Sequence, residues 1–399
     1  MRCEQELLSN MSFVPFGDLL LEPLRNGLTK PKAVRGDGVK MIGMGEIFAN
    51  SRIGAISMSR VPVTEKELSN NCIKNGDILF ARQSLALEGA GKCSIVIDVT
   101  EKTVFESHLI RARIDSSKAN PYFVYYYFNS YVGKEHIKTI VEQVAAAGIR
   151  GSDLVRLKVP CPDLETQDRI AAILSALDEK IAINREINDN LLAQAQTLYK
   201  QFFPYGVQDD LPDGWRIGTV GEIIEIHDSK RIPLSGADRS KMEKKSYPYY
   251  GAASLMDYVD NYIFDGKYLL LGEDGTVVDD AGYPILQYVW GQFWVNNHAH
   301  ILTGRLGYDV ESLYMLFKQT PVKSIVTGAV QPKISQANLR SVQVVIPPEH
   351  NLREYNDLVE PLFSLFRANE EECKTFTALR DTLLPKLMSG EIDVSAVQL

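Results

Sequence analysis

The feature that most constrains this chain is the stretch from Asp163 to Phe203, which contains neither glycine nor proline. Its apolar residues recur at the spacing of a coiled-coil seam, and Asn184 and Asn188 fall on the same stripe. That period predicts a helix of about 40 residues, roughly 60 Å long at 1.5 Å per residue. The narrow seam favours one partner helix rather than a whole domain. The predicted seam residues are Ile170, Leu174, Leu177, Ile181, Leu191, Ala195, Leu198 and Phe202.

A partner helix is predicted in the same chain. The stretch from Asn351 to Met388 repeats the pattern about 185 residues later, and Asn369 takes the place of Asn184. Pro361 lies early in this stretch and should kink the helix or start it afresh. In a different interpretation the two stretches are unrelated amphipathic helices, each packed on its own domain. The predicted seam residues of the second stretch are Tyr355, Val359, Leu362, Phe366, Phe376, Leu383 and Leu387.

Length and composition bound the class of protein. The 399 residues suffice for two or three domains, and a hydrophobic fraction of 45% with 24% charged residues is typical of a soluble globular protein. No apolar run approaches the ~18 residues of a membrane span, and the first ten residues lack the pattern of a secretory signal. The five scattered cysteines suit reduced thiols in a cytoplasm. The net charge of −8 argues only weakly against nucleic acid, because acidic residues elsewhere can hide a local basic stripe.

Two mixed α/β domains are predicted, and they are weak copies of one another. Residues 75–79 correspond to 265–269, and residues 105–108 correspond to 295–298, about 190 positions later. The fold class predicted is therefore α+β, with the two long helices as an antiparallel coiled coil and an approximate internal two-fold. The predicted order is a first domain at 1–162, a spacer helix at 163–203, a second domain at 204–348, a spacer helix at 349–390 and a tail at 391–399.

Three short motifs suggest chemistry, and each has a simpler explanation. Asn120 to Phe123 is one residue away from the N-P-P-Y/F loop of adenine-N6 DNA methyltransferases, but an asparagine cap followed by proline also starts a helix. Gly89 to Cys93 resembles half of a phosphate loop without the required spacing. His298 and His300 lie two residues apart, but a third metal ligand is not evident. Hydrogen-bonded histidines and no metal site are the prediction.

Basic residues cluster in segments predicted to be loops, and glutamines lie beside several of them. Arginine and lysine suit phosphates and guanine, whereas glutamine suits adenine. For any one of these residues, a solvated surface position is the simpler interpretation. The candidates in the first domain are Lys30, Lys32, Arg35, Arg82, Gln83, Lys92 and Arg150. Those in the second domain are Lys230, Arg231, Lys241, Lys244, Lys245, Gln331 and Lys333.

The chain resembles the specificity subunit of type I restriction–modification systems over nearly its whole length. The resemblance is carried by residues 165–203, by the segments 266–277 and 290–302, and by the ending at 379–394. It implies that each globular domain reads one half of a split, asymmetric sequence in double-stranded DNA. It also implies that the helices set the gap between the halves, since half-site spacing follows protein geometry.

The resemblance further implies a division of labour among subunits. The specificity subunit would be non-catalytic and carry no cofactor. Two modification subunits with S-adenosylmethionine would dock on the helices and flip an adenine out of the duplex. Restriction subunits would join with ATP and magnesium.

Two other functions remain open from the residues alone. One is a protein-interaction scaffold that uses the helices as assembly arms, and the other is a degenerate methyltransferase. Within the helix pair, Asn184 and Asn369 are predicted to form a buried polar pair that fixes the register.

Overall fold

The computed structural model describes residues 12–143, 147–328, 330–395 and residue 397, and the chain divides into two compact units. Unit 1 contains Met1–Ile183 and Glu372–Leu399, and unit 2 contains Asn184–Glu371. Each unit therefore holds one globular domain together with half of each long helix.

The first globular domain precedes the long helix α6 (Leu164–Phe202). Its shorter helices are α1 (Met44–Ala49), α2 (Glu65–Asn71), α3 (Pro121–Asn129), α4 (Tyr131–Lys138) and α5 (Gly151–Leu154). Its strands are β1 (Phe13–Pro15), β2 (Arg25–Asn26), β3 (Val39–Ile42), β4 (Arg52–Ile53), β5 (Ser59–Val61), β6 (Ile78–Ala81), β7 (Gln83–Ser84), β8 (Cys93–Val96), β9 (Thr103–Phe105), β10 (Leu109–Ala112), β11 (Glu142–Gln143), β12 (Ala147–Gly148) and β13 (Lys158–Pro160).

The second globular domain precedes the long helix α11 (Glu349–Met388). Its shorter helices are α7 (Val220–Ile223), α8 (Gly236–Ser240), α9 (Val310–Phe317) and α10 (Gln336–Ser341). Its strands are β14 (Arg216–Thr219), β15 (Ile224–Ile226), β16 (Tyr247–Tyr250), β17 (Leu255–Val259), β18 (Phe264–Asp265), β19 (Tyr268–Gly272), β20 (Leu286–Val289), β21 (Gln292–Val295), β22 (Ala299–Gly304) and β23 (Gln343–Ile346).

The two domains share one strand topology. The order β2-β10-β6-β8 in the first domain matches β15-β22-β19-β20 in the second, and β5-β3-β9 matches β17-β16-β21. Each domain adds one edge strand without a counterpart, β4 in the first and β18 in the second. The inner pairs β3/β9 and β16/β21 are both parallel. Strand β1 pairs with β13, and β14 pairs with β23, so each domain closes its ends just before its long helix. The predicted duplication of a mixed α/β domain is confirmed.

The two long helices run antiparallel within each unit. In unit 1, Arg380 donates to Asp178 at 2.8 Å, and Cys373 Sγ donates to the Ile181 carbonyl at 3.7 Å. In unit 2, Asn369 Nδ2 donates to Asn188 Oδ1 at 2.9 Å, and Tyr355 Oη donates to the Ala195 carbonyl at 3.2 Å. Residue numbers rise along α6 as they fall along α11, so the predicted antiparallel pairing is confirmed.

The helix pair also packs on the globular cores, which the sequence did not predict. In unit 1, Ile170 and Leu174 of α6 and Leu387 of α11 join the core that contains Phe16 and Phe80. In unit 2, Ala195, Tyr355, Val359 and Phe363 join the core around Leu271 and Phe317. The buried face is therefore wider than a two-helix seam, because one side faces the partner helix and the other faces a domain.

The wider face changes which seam positions are most buried. Tyr199, Phe363 and Leu384 are buried, one position after the half-buried residues Leu198, Leu362 and Leu383. Among the other predicted seam residues, the buried ones are Ile170, Leu174, Ile181, Leu191, Ala195, Tyr355, Val359 and Leu387. The half-buried ones are Leu177, Phe202, Phe366 and Phe376.

Three local predictions are corrected or confirmed. Helix α11 continues through Pro361, so of the two predicted effects the fresh start is wrong and the kink stays a prediction. The described hydrogen bond of the Asn369 amide goes to Asn188, rather than to the predicted Asn184. The side-chain oxygen of Asn120 accepts from the backbone of Tyr122 at 2.8 Å, which confirms that this motif caps α3.

Candidate nucleic-acid interface

In the first domain, Arg82, Gln83 and Arg150 are brought to one place by short strands. Strand β7 pairs with β12, and the Ile149 backbone donates to the Arg82 carbonyl at 2.9 Å. The Arg82 backbone donates in turn to the His108 carbonyl at 2.8 Å. This ladder holds the loop after β6 against the segment that carries Arg150.

The arginine side chains line a cleft of about 400 Å³ together with Asn26 and Ser152. Arg150 pairs with Glu142 at 2.6 Å but remains 67% exposed, and Arg82 is exposed. Two guanidinium groups, an amide and a hydroxyl are donors that suit phosphate and base edges. Asn26 and Ser152 were not among the residues predicted from the sequence. The position of Ser152, two residues after Arg150, could have marked it, whereas no motif marks Asn26.

The second domain repeats the ladder with an acidic residue in the place of Arg82. The Glu273 backbone donates to the His298 carbonyl, and the Ile334 backbone donates to the Glu273 carbonyl, both at 2.8 Å. These are the counterparts of the two bonds around Arg82. The same framework therefore carries a cationic side chain in one domain and a carboxylate in the other.

Glu273 belongs to a buried charge network. Arg231 donates to Glu273 at 2.6 Å and lies 3.3 Å from Asp228. Lys333 pairs with Glu273 at 3.1 Å. His300 lies 2.6 Å from Asp228 through Nδ1 and 2.8 Å from the Ile334 carbonyl through Nε2. Because a carboxylate and a carbonyl only accept, both contacts are hydrogen bonds when the ring carries both protons.

Asp228, Glu273 and His300 present ligand atoms within 4.8 Å of one another, as a metal site would. However, the two carboxylates already face Arg231 and Lys333, and Gln336 donates to Asp228 at 2.6 Å. A divalent cation would add charge to carboxylates that are already neutralised. The group fits a structural network better than a metal centre. The prediction of a hydrogen-bonded His300 is confirmed, and His298 pairs separately with Asp274.

The network holds both carboxylates ionised. Burial alone would raise the pKa of Asp228, but the hydrogen bond and charge of His300 lower that pKa below its ordinary value. Burial likewise opposes ionisation of Glu273, whereas the hydrogen bond from Arg231 and the charge of His300 lower the pKa of Glu273. The ordinary values of these side chains are about 4. Both groups are therefore charged well below neutral pH.

The loop between α8 and β16 of the second domain carries Lys241, Lys244 and Lys245. Lys245 has a φ of 43°, a left-handed conformation that is uncommon for a lysine. Its backbone donates to Asp260 at 2.7 Å, and its Nζ lies 3.2 Å from Asp257. Lys241 and Lys244 are exposed on the same loop.

By the contacts of their side chains, most of the residues predicted to bind DNA fall into two groups. Several are engaged by ion pairs or by a carbonyl: Lys30 with Glu67 at 2.9 Å, Arg35 with Glu106 at 3.7 Å, and Lys92 with the Phe48 carbonyl at 2.7 Å. The rest are exposed, and the described part of the chain gives their side chains no ion pair or hydrogen bond: Lys32, Arg82, Gln83, Lys230, Lys241, Lys244 and Gln331. The second group is the better candidate set for contacting a ligand.

Comparison of the sequence with models of protein families identifies a family that covers most of the chain. A family model described as the type I restriction modification DNA specificity domain matches residues 14–193 and 212–372. Within the described residues, no helix has the length and apolar character that crossing a membrane requires.

Individual relatives are distant but extensive. The chain is 23% identical over 94% of its length, and 92% of the relative's, to a putative type I restriction enzyme MjaX specificity subunit of Methanocaldococcus jannaschii. It is 23% identical to the type I restriction enzyme EcoprrI specificity subunit of Escherichia coli, with 81% of each chain covered. The crystal structure of a type I restriction–modification S subunit from M. genitalium is similar in fold, with a TM-score of 0.56 and 18% identity over 95% of this chain and 96% of that one.

Proposed function

Because the chain belongs to the family of type I restriction–modification DNA specificity subunits, we propose that its two globular domains each read one half-site of a bipartite DNA target. The observation that carries this proposal is the duplication. Two domains of one topology carry different side chains at equivalent positions, with an exposed Arg82 in one and a half-buried Glu273, paired with Arg231, in the other. Different loop chemistry on one framework suits an asymmetric target, because base identity is read by donors and acceptors on side chains.

The long helices are proposed to serve as the spacer and as the docking surface for partner subunits. Specificity subunits of type I systems assemble with other subunits and DNA, and the subunit itself is not the catalyst. The helices expose apolar residues that a docked subunit would cover: Leu358 and Leu365, one heptad apart on α11 in unit 2, and Ile183 and Leu379 in unit 1. Two modification subunits would bind S-adenosylmethionine, and restriction subunits would bind ATP and magnesium.

Footprinting of the assembled complex tests the two-domain proposal. We expect protection of two short DNA segments separated by an unread gap, because each domain would contact only its own half-site. Exchanging the DNA sequence of one half-site should abolish specific binding, whereas changing the bases of the gap should not. A single continuous protected recognition sequence would contradict the proposal. Absence of DNA binding with partners present would favour the scaffold function instead.

The exposed lysines of the second domain are expected to contact phosphates. Replacing both Lys241 and Lys244 with alanine should weaken binding to every DNA sequence and reduce the slope of log K against log salt by about 2, because each phosphate contact releases about one counterion. The measurement is a salt titration of binding. The matched control is the double alanine variant of Lys318 and Lys323, which lie in the same domain outside this loop. An unchanged slope would leave Lys241 and Lys244 as solvated surface residues.

A further inference from the structure

Among the described residues, Leu85 in the first domain and Val330 in the second are the branched apolar side chains with the highest exposure. Leu85 and Val330 have relative exposures of 102% and 99%, and the next large hydrophobic residue in the described part of the chain, Tyr131, has 73%. Burying such a side chain is favourable, so a partner that covers it gains binding energy.

Described contacts flank both side chains. Next to Leu85, the hydroxyl of Ser84 accepts from the Ala86 backbone at 3.1 Å, and a Cβ added at Gly89 would lie 2.2 Å from that hydroxyl oxygen. The segment around Leu85 is therefore closed tightly from both sides.

The turn that carries Val330 is closed as well. The backbones of Thr327 and Lys333 exchange two hydrogen bonds, at 2.9 and 2.7 Å. Gly328 has a φ of 89°, which favours glycine at that position of the turn. In both domains, described contacts lie beside an apolar side chain that stays uncovered.

The neighbours of the two side chains indicate what they contact. Gln83 lies two residues before Leu85, Gln331 directly follows Val330, and both glutamines are exposed. Glutamine suits the N6 and N7 edge of adenine, and the thymine methyl group is the apolar group that a base presents in the major groove. An A·T pair offers both groups in the same groove.

We propose that Leu85 and Val330 are specificity-determining residues, each packing on the 5-methyl group of a thymine in the half-site that its domain reads. The adjacent glutamines read adenine in the same part of each half-site. This inference rests on the proposed function and adds to it a base class and a residue for each domain.

Replacement of thymine by uracil tests the inference, because uracil pairs identically and lacks only the methyl group. Binding of the full chain, assembled with its modification subunits, would be measured on duplexes in which each half-site thymine is replaced in turn. For the unaltered chain we expect that, in each half-site, replacing one particular thymine by uracil weakens binding about fourfold. This is the change in affinity expected when one buried methyl-sized group is lost.

Alanine variants of Leu85 and Val330 test which residue contacts the thymine methyl group of each half-site. Leu85→Ala should weaken binding to the thymine duplex by a similar factor and remove the uracil sensitivity in one half-site, while Val330→Ala does the same in the other. The controls are Leu21→Ala and Ile217→Ala, which truncate other exposed apolar residues of the two domains.

Several results would overturn the inference. They are uracil sensitivity that survives in Leu85→Ala and Val330→Ala, half-sites without any uracil-sensitive position, and half-sites that contain no thymine. In each case specific binding by the unaltered complex would still support the proposed function. Failure of the proposed function is a separate result, in which the unaltered complex shows no sequence-specific binding at all.

Discussion

Replacing Arg231 with alanine is expected to lower the free energy of unfolding of the second domain by up to about 3–5 kcal/mol, because the change removes one of the counter-charges of the carboxylates Asp228 and Glu273, which are 5% and 13% exposed. The Arg231 side chain is only 13% exposed, and it joins Glu273, Asp228 and the Ala299 carbonyl. These contacts connect the segment after β15 to the end of β19 and the start of β22. Their loss should loosen the framework that supports the reading loops.

Amide hydrogen exchange in β15 and β22 measures the effect locally, since a two-domain chain need not unfold in one transition. Arg216→Ala is the matched control, because Arg216 lies in the same domain, is 50% exposed and pairs with Glu222 at 2.7 Å. We expect that change to lower the free energy of unfolding by no more than about 1 kcal/mol. Normal exchange protection in Arg231→Ala, combined with weakened DNA binding, would show instead that Arg231 contacts DNA.

The same network makes the stability of the second domain depend on pH. Asp228 and Glu273 have pKa values lowered in the folded protein, so the stability they contribute is fully present above their unfolded pKa values of about 4. That contribution is lost as the pH falls through the lower, folded values. In Arg231→Ala the folded pKa of Glu273 should rise, so the variant should lose its second domain at a higher pH than the unaltered chain.

The role of Arg231 could not be predicted from its place in the sequence. Arg231 follows Lys230 in a basic segment, which made both residues candidates for DNA. The structure leaves Lys230 exposed and pairs Arg231 with Glu273, 42 positions away. That contact depends on β22 lying between β15 and β19, and hydrophobic periodicity carries no information on strand order.

The helices were predictable to a greater extent because their signal is local and periodic. The long helices and their antiparallel pairing followed from the seam and its repeat. The set of helix residues that are most buried did not follow from the seam, because Tyr199 and Phe363 are covered by a globular core as well as by a helix. A heptad pattern describes a face toward one partner, whereas these helices have two.

Inserting seven residues into each long helix is expected to lengthen the unread gap of the DNA target by up to about three base pairs, while both half-sites keep their sequences. Seven residues add about 10 Å of helix, and one base pair occupies about 3.4 Å of duplex. A whole heptad preserves the phase of the seam. Both helices need the insertion, after Ile183 in α6 and after Glu371 in α11, because the antiparallel pair must stay matched.

Selection of bound duplexes from a library with variable gaps measures the preferred spacing. On the original gap the variant should bind about 100-fold more weakly, because losing several base contacts at about 1–3 kcal/mol each leaves one half-site unread. The matched control is a seven-residue insertion between Asp209 and Asp210, exposed residues in the connection between α6 and β14. That control lengthens the chain without lengthening a helix and should keep the original gap. An unchanged gap in the double-helix variant, or altered half-site sequences, would show that the helices do not set the spacing.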